Sequence, residues 1–151
     1  MDYDAVAKGM SMAVPFIGHL DLEIVEIDAG TATVVLPERP QLTNHVGSQH
    51  AGALFTAAEA ASGAAFVGAF AERMGDVTPL ARDAEIHYEK IALGPIEARG
   101  RLGIGRDEAL AKLDAEGKVE FPCEIVLVDR EGNQVASATV GWHVRLKEPR
   151  A

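Results

Sequence analysis

The chain has 151 residues, 48% of them hydrophobic, a formal charge of −9 and a pI near 4.9. That length suits one compact domain spanning 1–151, and the acidity argues against nucleic acid as a partner, because phosphate binding needs a basic footprint. A single cysteine, Cys123, forms no intrachain disulfide, which fits a reducing cytoplasm.

Residues 1–20 carry Asp2 and Asp4 and lack a basic stretch before an apolar core, so no signal peptide is expected. Residues 2–14 predict a short helix, with Val6, Met10 and Val14 at helical spacing, weakened by Gly9 and closed by Pro15. Phe16, Ile17 and Leu20 read as an apolar bridge into a half-buried strand over 21–28, marked by Leu22, Ile24 and Ile27. Asp28-Ala29-Gly30 is a hairpin turn into a β-branched strand over 31–36, and Pro37 and Pro40 open a loop over 38–49.

A helix follows over about 50–73, dominated by Ala and Gly, with bulk from Leu54, Phe55, Phe66, Val67 and Phe70. Gly63 and Gly68 each cost about 1 kcal/mol relative to Ala, which implies close approach of another backbone. Glu59 and Glu72 make this run a poor membrane span. Strands are expected over 80–90, 96–104, 119–128 and 134–146. A short helix over 107–115 ends at Gly117, and a hairpin turn lies at 129–133. Residues 147–151 read as a frayed tail. Cys123, among Val119, Phe121, Ile125 and Leu127, reads as a buried small hydrophobe. Trp142 and Tyr88 read as strand residues of the core or a dimer interface. The order gives an α+β fold with a largely antiparallel sheet around one long helix.

The chemistry concentrates between Asn44 and Glu59. Ser48 is a candidate N-cap, and the first helical N–H groups, at the positive end of the helix dipole, suit a carbonyl oxygen gaining charge. Ala51, Gly52 and Ala53 are small enough to admit a substrate to those amides, and His50 and Asn44 add donors beside them. The alternative makes Asn44 a loop-turn residue and His50 a surface cap. Glu59, flanked by Ala57, Ala58, Ala60 and Ala61, is either a functional carboxylate in apolar surroundings or part of a solvated stripe with Thr56 and Ser62. From His50 to Glu59 an α-helix rises about 13.5 Å and turns through about half a circle. Two groups acting on one carbonyl must each lie roughly 3 Å from it. If the two ends cooperate, they therefore come from two chains related by a two-fold axis.

The pattern Asn44-x-x-Gly47-x-x-His50-small-Gly52, with an acid nine residues after the histidine, resembles the motif of the hotdog-fold PaaI-like acyl-CoA thioesterases. The resemblance spans about Ile17 to Leu146, and the insertion near 107–115 is similar to a branch known as a domain of unknown function. It implies Glu59 as nucleophile or general base, the Ala51 N–H polarising the thioester carbonyl, His50 assisting, and Asn44 orienting His50 or water. His-Ala-Gly replaces the usual His-Gly-Gly, and Glu replaces the frequent Asp. It implies a homodimer, or a dimer of dimers, with no cofactor. Gly47 and Gly52 would shape the substrate entrance, and Thr78 is the nearest match to a polar residue after the helix. Phe55 and Phe66 would line an acyl tunnel. Arg82 and Lys90, with Arg101 and Arg106, are the cations available to CoA phosphates. The alternative is a non-catalytic acyl- or CoA-binding protein; a dehydratase pattern has no convincing match. His45 and His50 lack metal-ligand spacing with a cysteine or second histidine on one element, so no metal is expected.

Overall fold

The structure is a computed structural model describing residues 1–148, so residues 149–151 of the expected tail lie outside the described residues. It contains helices α1 (Tyr3–Ala13), α2 (Pro15–His19), α3 (Ala51–Phe70) and α4 (Arg106–Glu116). The strands are β1 (Glu23–Asp28), β2 (Thr31–Leu36), β3 (Val77–Tyr88), β4 (Ile96–Leu102), β5 (Lys118–Val128) and β6 (Gln134–Leu146). They form one antiparallel sheet in the order β1-β2-β4-β5-β6-β3, and α3 packs against β1, β2, β4, β5 and β6. This is the expected α+β arrangement.

Helix α3 is the axis of the core. Fourteen of its 20 residues are buried, so it has no continuous polar face, the mark of an enclosed helix. A membrane-length apolar window does exist between Ala51 and Arg73, but 78% of it is buried inside the fold. Small side chains let the sheet close on this helix. At Gly68 a Cβ would stand 2.0 Å from the Asp28 carbonyl oxygen and 2.8 Å from Ile27 Cγ2. The β1–β2 turn therefore rests directly on the helix backbone. Gly63 departs from the expected backbone approach. A Cβ there would meet side chains, Met10 Cε at 3.2 Å and the Trp142 ring at 3.7 Å.

Several boundaries differ from expectation for local reasons. The bridge after Pro15 is helix α2, started by a proline whose fixed φ suits the first helical position. The three-residue spacing from Ile24 to Ile27 is a β-bulge between Ile24 and Glu26, which leaves Val25 exposed. Strand β3 starts at Val77, earlier than expected, and contains Pro79. It pairs only with β6, and an edge strand tolerates proline. Helix α3 ends at Phe70 and passes into a tight 3₁₀ turn over Ala71–Arg73. The predicted short helix is α4, closed by Gly117 at φ 76°, whose N–H donates to the Leu113 carbonyl. Arg106 Nε donates to the Ala69 carbonyl at 2.9 Å, and Arg73 pairs with Asp114 at 2.9 Å, so α4 holds the far end of α3.

Cys123 is fully buried, and burial pushes its thiol pKa up to about 12. A thiol reagent is expected to leave it unmodified until the chain unfolds; rapid labelling under native conditions would contradict the packing. The two helical glycines should respond differently to alanine. Gly68→Ala must displace backbone and is expected to destabilise by about 1–3 kcal/mol. Gly63→Ala crowds only the flexible end of Met10, with Trp142 at ordinary contact distance, and gains helix propensity of up to about 1 kcal/mol, so it should be neutral or stabilising. Urea unfolding of both variants checks this contrast.

Candidate functional site

Two chemically distinct places lie along α3. The first is its N-terminus, built on the 44–48 loop. Asn44 Oδ1 accepts from the N–H groups of Val46 at 3.0 Å and Ser48 at 3.1 Å, and its Nδ2 donates to Ser48 Oγ at 2.8 Å. Gly47 sits at φ 77°, which favours glycine in this turn. The Asn44 amide is thus engaged within its own turn and makes no hydrogen bond to His50 among the described residues. Ser48 is consumed by the same turn and is buried, so it does not cap α3.

The cap is His50. Its backbone is extended (φ −64°, ψ 141°), and its Nδ1 accepts from the Gly52 N–H at 2.8 Å. An accepting Nδ1 places the proton of a neutral imidazole on Nε2. Ala51 and Gly52 are exposed, and the Ala51 N–H takes no hydrogen bond among the described residues. Helix geometry leaves that group without an intrahelical partner. The end of α3 therefore offers a backbone N–H and an imidazole N–H at one terminus.

Gln49, which is not among the expected site residues, fixes this terminus in place. It is buried, its side chain donates to the Pro37 carbonyl at 3.0 Å and the Gly94 carbonyl at 2.9 Å, and its own N–H donates to the Ala92 carbonyl. Its one signal in the sequence is its position, an amide two residues before α3. The Tyr88 hydroxyl donates to the Ala51 carbonyl at 3.0 Å, tying β3 to the same point.

The second place is Glu59. It is half-buried, and burial pushes its carboxyl above the ordinary 4.5 with no hydrogen bond or neighbouring charge contributing. It opens into a cavity of about 420 Å³ whose other lining residues include Met10, Gly63, Phe66, Val67, Pro79 and Trp142. Glu59 is the one ionisable residue of that lining. The solvated-stripe alternative does not describe this position: Ser62 is fully buried, its hydroxyl donating to the Glu59 carbonyl at 2.7 Å and accepting from Trp142 Nε1 at 3.1 Å.

The other candidates are dispersed. Phe66 lines the cavity, whereas Phe55 lies outside it and is exposed. Thr78 borders a separate polar hollow with Lys118, His143 and Arg145, while its neighbour Pro79 lines the Glu59 cavity. Arg82 pairs with Glu120, Arg101 with Glu124 at 3.4 Å, and Arg106 holds α3. Lys90 follows β3, with its charge near Asp129. Among the described residues no group of three or more His, Cys, Asp or Glu side chains is placed to hold a metal ion.

A family model described as a domain of unknown function (DUF4442) matches residues 3–144. The chain belongs to that family. No curated protein matches the sequence. Among solved structures, a Pseudomonas aeruginosa protein of unknown function, named a probable thioesterase, is 25% identical with a TM-score of 0.86, covering 97% of each chain. A thioesterase family protein from Silicibacter pomeroyi is 17% identical with a TM-score of 0.77, covering 96% of this chain and 99% of its own. The E. coli PaaI protein from the phenylacetic acid degradation operon is 21% identical with a TM-score of 0.72, covering 96% of this chain and 94% of its own. These likenesses identify the fold as a hotdog, consistent with the PaaI-like group that the motif resembles.

In this hotdog helix the raised Glu59 pKa has a stability consequence. The folded chain holds the protonated form more readily than the unfolded chain. Stability linked to Glu59 is therefore full below the ordinary 4.5 and is lost as pH rises through the raised value. Glu59→Gln should raise Tm near neutral pH, and the gain should shrink to nothing as pH falls below 4.5. Thermal unfolding across pH checks it; a Tm lowered at neutral pH would show that the carboxylate is stabilised by a partner.

Proposed function

We propose that this protein hydrolyses an acyl-CoA thioester at a site shared by two copies of the chain. The observation that carries the reading is Glu59, an unpaired carboxylate facing an apolar cavity on a helix whose N-terminus offers free donors. Thioesterase names among proteins of the same fold support it.

In this reading the thioester oxygen lies against the Ala51 N–H and His50 Nε2–H of one copy. Glu59 of the other copy accepts a proton from water as the water oxygen adds to the carbonyl carbon. Collapse of the adduct breaks the C–S bond, the sulfur leaves as thiolate and takes a proton, and the free acid departs. A pKa raised by burial makes Glu59 a stronger base than an exposed glutamate. Along one α3 the two places are about 13.5 Å apart, too far for one carbonyl, so the second copy is part of the mechanism. Strand β3 supports such pairing: it is a 12-residue edge strand with Leu80 and Tyr88 exposed, and an open edge is a template for another strand. Lys90, just after Tyr88, and Arg82 on β3 are the cations proposed for the CoA phosphates.

Glu59→Gln should lower kcat by about 10²–10⁴-fold in a thiol-release assay with an acyl-CoA panel, while the chain still folds and dimerises. In the wild type the acid limb of kcat/KM should lie above pH 4.5. Saturable acyl-CoA binding with no thiol release would replace hydrolysis by a binding role. Activity of a monomer in solution would defeat the shared site.

A further inference from the structure

We propose that Met10 of the N-terminal helix sets the length of acyl chain that the Glu59 cavity accepts. The inference rests on the acyl-thioester reading above and concerns the opposite end of the ligand.

The cavity has the volume of a small-ligand pocket, about 420 Å³. Its floor follows α3: Glu59, Ala60, Gly63, Phe66 and Val67 recur at the spacing of one helical face. From Glu59 to Val67 the helix rises about 12 Å, the span of a staggered chain of about eight to ten carbons. Beyond Glu59, no charged side chain lines it. The chemistry fits an aliphatic tail, since a polar substituent there would be buried without a partner.

One turn beyond Glu59, about 6 Å along the axis, Met10 and Trp142 converge over Gly63. A Cβ on Gly63 would stand 3.2 Å from Met10 Cε and 3.7 Å from Trp142 Cζ2. The two walls differ in freedom. Trp142 is held by its hydrogen bond to Ser62 at 3.1 Å and by stacking on Phe66 at a centroid distance of 5.5 Å. Met10 belongs to a helix with no fully buried residue and reaches the cavity through a flexible thioether. Trp142 is thus the fixed wall and Met10 the movable one. The absence of a side chain at Gly63 lets both rest on the helix backbone, so Met10 narrows the cavity at this point and its displacement would open it.

The test uses hexanoyl-, octanoyl-, decanoyl- and dodecanoyl-CoA with the wild type, Met10→Ala and Gly63→Ala. Turnover is read by thiol release and binding by calorimetry with non-hydrolysable alkyl-CoA thioethers of the same lengths. Met10→Ala should shift preference towards longer chains, by about tenfold in relative kcat/KM or Kd for two further methylenes. Gly63→Ala should shift it towards shorter ones. If the thioether profile moves while no thiol is released, the chain-length role stands and the hydrolytic reading falls. If thiol is released but neither variant moves either profile, hydrolysis stands and the role of Met10 is overturned.

Discussion

The whole fold depends on how thin α3 can be made. A sheet closes round a helix only if backbone approaches backbone, and that distance is set by what stands between them. At Gly68 nothing does, and the Asp28 carbonyl occupies the space a methyl group would need. At Gly100 on β4 a Cβ would lie 2.9 Å from the Ala61 carbonyl oxygen, the same device with the glycine on the strand. Buried aromatic bulk gathers in one zone, where Phe66, Phe70, Phe121 and Trp142 pack together. Gly68 lies two residues from both Phe66 and Phe70, about 200° of rotation from each, so tight and bulky contacts fall on different faces of one helix.

This arrangement leaves room for a carboxylate that the core does not need. Glu59 contributes an unfavourable desolvation that no ion pair or hydrogen bond offsets. Side chains of this kind break the rules that organise the rest of a fold, and such breaks concentrate where chemistry is performed. The surrounding backbone is ordinary α-helix, so the cost sits in electrostatics and leaves the backbone unstrained. Ser62 and Trp142, hydrogen-bonded to each other beside it, make the wall of the cavity rigid.

The elements were legible in the sequence because alternation, proline and glycine act locally. The hairpin at Asp28-Ala29-Gly30, the cap at Gly117 and the long Ala-rich helix all follow from residues a few positions apart. Glu59 was legible for the same reason, as an acid among alanines. What escaped was decided by competition or by distant contacts. Ser48 is a good cap by type, but Asn44 captures its hydroxyl and backbone first, and the role falls to His50. Ile24 and Ile27 disguise a bulge that only pairing with β2 exposes. The meeting of Met10 with Gly63 joins residues far apart in the chain, which no periodicity reveals.

A smooth helix has one more property. Interlocking ridges normally prevent one element from sliding past another, and a helix faced with alanine and glycine has few of them. Here the sliding coordinate is closed by polar pins at the two ends. Gln49 and Tyr88 fasten the start to the 37 and 94 loops and to β3, while Arg106 and the Arg73–Asp114 pair fasten the finish to α4. The position of α3 along its own axis, and with it the depth at which Glu59 meets the cavity, is therefore held by hydrogen bonds at its tips together with the Trp142–Ser62 bond midway along it. The insertion that carries α4 serves as an axial stop for the helix.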